Sequence, residues 1–113
     1  MVAYVIIEVE VHDIADYIGY RQKMAPLLES AGARYLARGG EFRVYEGDDE
    51  PGRLIILEFP SLETMDEFYE SAEYLALRPQ REACSRCRIL AVQGISAPLV
   101  ETRTALKTDS DQF

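Results

Sequence analysis

What this chain has little of narrows it first. Histidine occurs once, at His12, and cysteine twice, at Cys84 and Cys87. No apolar run approaches the ~18 residues that a membrane-crossing helix needs. The opening Met1-Val2-Ala3-Tyr4 has no basic segment ahead of its apolar one, as a secretory leader would. The expectation is a soluble cytoplasmic protein with no membrane partner. Basic residues are also scarce, 12 against 20 acidic ones, for a formal charge of −8. Such a chain repels phosphate backbones, which sets nucleic acid aside as a partner. A structural zinc site wants four ligands, and a single cysteine pair with one histidine does not supply a standard set. The spacing Cys84-Ser85-Arg86-Cys87 suits a metal or a cycling dithiol, but in thioredoxin-like proteins it follows a strand and opens a helix. Here it falls after a helical pattern and before a strand. We read the pair as ordinary cysteines of a helix–strand junction, with a reversible disulfide left open and no cofactor or metal expected.

What is present suits one domain. At 113 residues and 48% hydrophobic content, the chain can bury about two-thirds of its unfolded surface around one core. Val2 to Val11 alternates, with Val5, Ile7, Val9 and Val11 on one parity and Tyr4, Ile6, Glu8 and Glu10 on the other, as a strand with one clean apolar face does. Asp13 then suits a helix N-cap. Ile14, Tyr17, Ile18, Met24, Leu27, Leu28 and Ala31 recur at spacings of three and four up to a closing Gly32. Pro26 predicts a kink or break near Met24-Ala25.

A second strand is predicted over residues 34–46, with Gly39-Gly40 marking a bulge, and a third over Arg53 to Phe59, apolar on both parities. The polar cluster Gly47 to Gly52 joins them as a hairpin loop; its Asp48-Asp49-Glu50 lacks calcium-loop spacing and is read as a solvated turn. Ser61 caps a second helix with Leu62, Met65, Phe68 and Tyr69 inward. A separate short helix follows through Arg78, then a further turn, and the last strand covers residues 88–94. This divides the chain into a folded domain over residues 1–95 and a Thr-, Ser- and Asp-rich tail over 96–113, flexible or docked on a partner.

Strand, helix, strand, strand, helix, strand is the split pattern of a ferredoxin-like α+β sandwich, with both helices on one face of a four-stranded antiparallel sheet. The other face is left uncovered, and burying it against a second copy predicts a homodimer.

These residues resemble the domain of unknown function 1330 family of the dimeric α+β barrel superfamily. The resemblance runs from about Val2 to Gly94. It rests on Tyr20-Arg21, Pro26, Gly32, Arg34 through Gly40, Glu46-Gly47, Leu57-Glu58-Phe59-Pro60-Ser61, Phe68-Tyr69 and Ser71 through Tyr74. Ala33, where the family favours glycine, and the acidic tail depart from it. The resemblance implies fold and dimerisation. It implies little about activity, since superfamily relatives include cofactor-independent monooxygenases, lactone isomerases and haem enzymes that share only the fold.

The resemblance also implies a ligand pocket between helices and sheet or inside the dimer barrel. Glu58 shares parity with Leu54 and Ile56 and therefore points to a covered face, where a carboxylate needs a partner or a proton. Arg38 on the neighbouring strand is the expected partner. In the functional reading Arg38 binds an anionic or carbonyl oxygen, Glu58 moves a proton, and Tyr35, Tyr69 and Tyr74 add hydroxyl donors. The plainer readings are a structural Arg38–Glu58 pair and core tyrosines. His12 is either a proton carrier or a solvated turn residue. Arg21 and Arg78 are read as solvated helix charges or as the pocket mouth. Two functions remain open on these residues: a small dimeric protein that binds an organic metabolite, up to a cofactor-independent isomerase- or monooxygenase-like enzyme, or a non-catalytic dimeric module.

Overall fold

A computed structural model describes residues 1–48 and 52–95. The first apolar stretch forms β1 (Ala3–Val11), which buries Ala3, Val5 and Val9 and exposes Glu10. Asp13 caps α1 (Ile14–Ser30), its carboxylate accepting from the Asp16 N–H at 3.1 Å and satisfying a donor that every helix start leaves free. Tyr17, Tyr20, Met24 and Leu28 make the buried stripe of this helix. Beyond it Gly32 takes a φ of 75°, the left-handed conformation that glycine enters without a Cβ penalty.

α1 runs through Pro26 without the expected break. Pro26 and Gln22, the residue whose carbonyl loses its donor, both lie on the exposed face, where an unpaired carbonyl costs little because solvent can reach it.

β2 is shorter than expected, Arg34–Arg38 rather than 34–46. The bulge also lies earlier than the glycines. Tyr35 stands opposite Leu57 and Ala37 opposite Ile56, so Leu36 is the extra residue. Gly39 instead ends the strand, with φ 66° and its N–H donating to the Leu54 carbonyl at 3.0 Å. The Arg53 guanidinium fills the space that a side chain at Gly39 would need. β3 (Arg53–Phe59) buries Ile55, Leu57 and Phe59 and leaves Leu54, Ile56 and Glu58 partly exposed on the other face. A single chain therefore covers one face of this strand, not both.

Ser61 caps α2 (Leu62–Glu70) by accepting from the Thr64 N–H at 3.0 Å, and Ser71 caps α3 (Ala72–Cys84) by accepting from the Tyr74 N–H at 3.2 Å. α3 is one continuous helix through Pro79, not a short helix and a separate turn. Leu75, the residue whose carbonyl Pro79 leaves without a donor, is exposed, the same solution as at Pro26. β4 (Ser85–Gln93) starts directly at the helix end, ahead of the expected Arg88.

The sheet order is β2-β3-β1-β4 with every neighbouring pair antiparallel. The helices pack on the face bearing Val5, Val9, Ile55, Leu57 and Phe59, giving a ferredoxin-like α+β fold. Phe59, fully buried, packs against the rings of Phe68 at 5.4 Å and Tyr69 at 6.2 Å between centroids. No helix among the described residues is long and apolar enough to cross a membrane. The tail expected over 96–113 lies outside the described residues.

Candidate functional site

Arg81 stands out in the last turn of α3. It shares the inward stripe of Tyr74, Leu77 and Cys84 and is 8% exposed. Its position is fixed by the helix end. The Arg81 carbonyl accepts from the Ser85 hydroxyl at 2.7 Å and from the Cys84 thiol at 3.5 Å, and a cation in the last turn suits the negative end of the helix. The Arg81 Nε is buried without a hydrogen-bond partner, and among the described residues the side chain forms no ion pair. A buried, unpaired donor costs ~1–3 kcal/mol, more when charged.

Aromatic rings surround it. An inner cavity of about 40 Å³ lies between α1, α3 and the sheet, lined by Tyr17, Tyr20, Tyr35, Arg81 and Cys87 among others. An outer cleft of about 460 Å³ shares the wall formed by Tyr69, Tyr74, Arg81, Cys87 and Ile89 and adds Arg78 and Glu82. The Tyr69 and Tyr74 rings meet edge to face at 4.9 Å, a favourable aromatic arrangement that also stiffens the wall.

The electrostatics follow from burial. Burial, then the nearby Tyr74 phenol, pushes the Tyr20 and Tyr69 hydroxyls well above their ordinary value, so both stay neutral donors at physiological pH. Burial likewise raises Tyr17 and Tyr74. The Cys87 thiol is pushed up by burial, with Arg81 pulling the other way. For Arg81 burial works against the charge, but the Tyr74 phenol and the Cys87 thiol outweigh it, and the guanidinium is held above its usual value. Both cysteines are free thiols.

The residues singled out in the sequence divide between two places. Tyr35, Tyr69 and Tyr74 come together at the cavity, and Arg21 also lines it. Arg38 stacks over the Tyr35 ring at 4.6 Å. Arg78 lines the outer cleft and pairs with Glu82 at 3.4 Å. Glu58 lies on the opposite face of the sheet, and the expected Arg38–Glu58 pair does not form. Its carboxylate instead accepts from the Arg34 Nε at 2.9 Å and the Arg34 Nη2 at 3.4 Å. The cause is the bulge at Leu36. It turns Arg38, opposite Ile55, to the helix side while Arg34, opposite Glu58, stays on the open side. His12 sits exposed at the β1–α1 turn, its backbone N–H donating to the Cys84 carbonyl at 2.8 Å.

Sequence reasoning misses Arg81 because a helix that stops at Arg78, before Pro79, leaves Arg81 in a turn. The available signal was a charged residue at the helical spacing of Tyr74, Leu77 and Cys84.

Comparison with solved structures gives the same fold. A protein of unknown function, RPA0582 from Rhodopseudomonas palustris, superposes with a TM-score of 0.71 at 16% identity, covering 85% of this chain and 84% of its own. A dimeric ferredoxin-like protein of unknown function from Jannaschia sp. gives a TM-score of 0.57 at 15% identity, over 83% of this chain and 100% of that one. SnoaB, a cofactor-independent oxygenase from Streptomyces nogalater, gives 0.55 at 11% identity, over 87% and 97%. These likenesses show the fold alone. Among curated proteins none matches. Residues 2–95 match the family described as a domain of unknown function (DUF1330), and the chain belongs to that family.

Proposed function

We propose that the protein binds a small organic molecule in the cavity and cleft between its helices and sheet, with Arg81 as the polar anchor. The observation that carries this reading is Arg81, a buried guanidinium in the wall shared by cavity and cleft that forms no ion pair among the described residues. An aromatic lining with a few converging polar groups is the usual make-up of a small-molecule site; here the cleft of about 460 Å³ sets Arg78, Arg81, Glu82 and Ser85 beside Tyr69, Tyr74 and Ile89.

Binding is favoured over catalysis. A general base needs a pKa near the working pH, yet Tyr17, Tyr20, Tyr69, Tyr74 and Cys87 are all pushed upward. Neither Glu58 nor His12 lines the cavity. The enzymatic reading, with Glu58, Arg38 and His12 as catalytic residues, therefore draws its support only from the fold shared with an oxygenase.

The homodimer belongs to the same proposal. On the open face, Tyr4, Ile6, Ile56, Leu90 and Val92 form an apolar patch across β3, β1 and β4. Burying it against its own copy follows the usual isologous geometry. The domain division at residue 95 is retained with it.

The test follows the Arg81 Nε–H resonance in nitrogen–proton correlation spectra during titration with a fragment panel of aromatic acids, amides and alcohols. Saturable movement of that resonance together with those of Tyr74 and Cys87 is expected. If every fragment leaves all three in place, the cavity is a packing feature and the proposal falls.

A further inference from the structure

Charge around the cavity is opposite in sign to that of the chain as a whole. The chain carries a formal charge of −8, yet among the described residues no carboxylate lines the inner cavity, while Arg21 and Arg81 both do. The outer cleft contains Glu82, but that carboxylate is already engaged with Arg78 at 3.4 Å. Arg53 and Arg21 are both close enough to Tyr17 to favour its ionised form. Arg38 is close by as well, parked over the Tyr35 ring. An acidic protein that gathers arginines around one buried pocket leaves positive charge there that no carboxylate among the described residues neutralises within the pocket.

We infer that the ligand is a small organic carboxylate, its two oxygens received by the Arg81 guanidinium at the wall shared with the inner cavity and its apolar or aromatic body lying in the outer cleft along Tyr69, Tyr74 and Ile89. This rests on the binding reading above and adds the chemical class. A guanidinium presents parallel N–H donors in one plane, matching the two oxygens of a carboxylate, and Arg81 lines both the cavity and the cleft. The neutral Tyr20, Tyr69 and Tyr74 hydroxyls add donors that tolerate an anion. A phosphate monoester fits less well. Its larger charge calls for several donors, usually with backbone N–H groups from a helix start or nest. Arg81 sits instead at the C-terminal end of α3, where the helix field disfavours anions and the guanidinium itself must supply the attraction.

The experiment is a set of thermal-shift and calorimetric titrations in a buffer free of organic anions, using matched probes: benzoate, phenylacetate and cinnamate, their primary amides, and phenyl phosphate. At least one carboxylate is expected to bind saturably and at least tenfold more tightly than its amide. Arg81→Met should lose about tenfold to a hundredfold in carboxylate affinity and much less in amide affinity, so that the preference for the acid disappears, and Arg81→Lys should keep part of it. Circular dichroism and the melting temperature of each variant establish that it is folded. Amides binding as well as their acids overturn the carboxylate inference and leave the cavity reading standing. Tighter binding of phenyl phosphate than of every carboxylate also overturns it. No binding by any probe to the wild type removes both readings together.

Discussion

Which arginine meets Glu58 is decided by one extra residue. With Leu36 bulged out, β2 presents Arg34 and Ala37 to the open face and Tyr35 and Arg38 to the helices. Without it Arg38 would share a face with Arg34, as the sequence spacing suggests. The two arginines therefore belong to different sites, Arg34 to the open sheet face and Arg38 to the aromatic side. A double-mutant cycle on Arg34→Ala and Glu58→Gln should give a measurable coupling in urea unfolding, and the same cycle on Arg38→Ala and Glu58→Gln should give none beyond error. Coupling to Arg38 would mean that the bulge does not hold in solution. Arg81 shows the converse case, a charge placed where an apolar residue would pack better. Replacing it with methionine should stabilise the fold by about 1 kcal/mol, because a buried charge with no carboxylate partner among the described residues is removed, while carboxylate binding weakens.

At the level of elements, local chemistry made much of the fold readable. The Asp13, Ser61 and Ser71 caps, the alternation along β1 and the close of α1 at Gly32 all rest on residue types with a direct backbone consequence. Three features were not readable. The bulge at Leu36 has no glycine to mark it, and its register depends on β3. Pro26 and Pro79 sit inside helices because the carbonyls that they orphan face water, a fact of tertiary exposure that no local rule supplies. Arg81 was hidden by the same misreading of Pro79, and with it the anchor of the candidate site. The tyrosines Tyr35, Tyr69 and Tyr74 were visible as a set, but the cavity that joins them is made by α1 and α3 packing on the sheet. Since Pro26 is tolerated and not required in α1, Pro26→Ala should raise stability, by about 1–2 kcal/mol once the added freedom of the unfolded chain is subtracted. Urea denaturation reads this directly, and a loss of stability would assign Pro26 a packing role.

For the whole molecule, the open sheet face and the buried phenols make separate predictions. Ile56 stands between Ile6 and Ala37 in the middle of the apolar face. Ile56→Arg should convert a dimer into a folded monomer, seen as a halved mass in light scattering with an unchanged far-ultraviolet spectrum. A wild type that is already monomeric at micromolar concentration would remove the dimer proposal. The phenols set the alkaline limit. Tyr20 and Tyr69 have folded values above the ordinary 10.0, so the unfolded chain releases their protons first. Their contribution is complete below about pH 10 and is lost as pH rises further. The urea midpoint should fall above that point, and less steeply in Tyr20→Phe.

The placement of β1 also bears on how the chain comes off the ribosome. β1 occupies an inner position and pairs with β3 on one side and β4 on the other, Ala3 with both Phe59 and Gln93. The strand translated first is thus completed only when residues some ninety positions downstream have emerged. Until then its Val5-Ile6-Ile7 run has a bare edge, the kind of segment that pairs with other nascent chains. A fragment ending before Ser85 should self-associate through that edge, and folding of the intact domain should wait on its final strand.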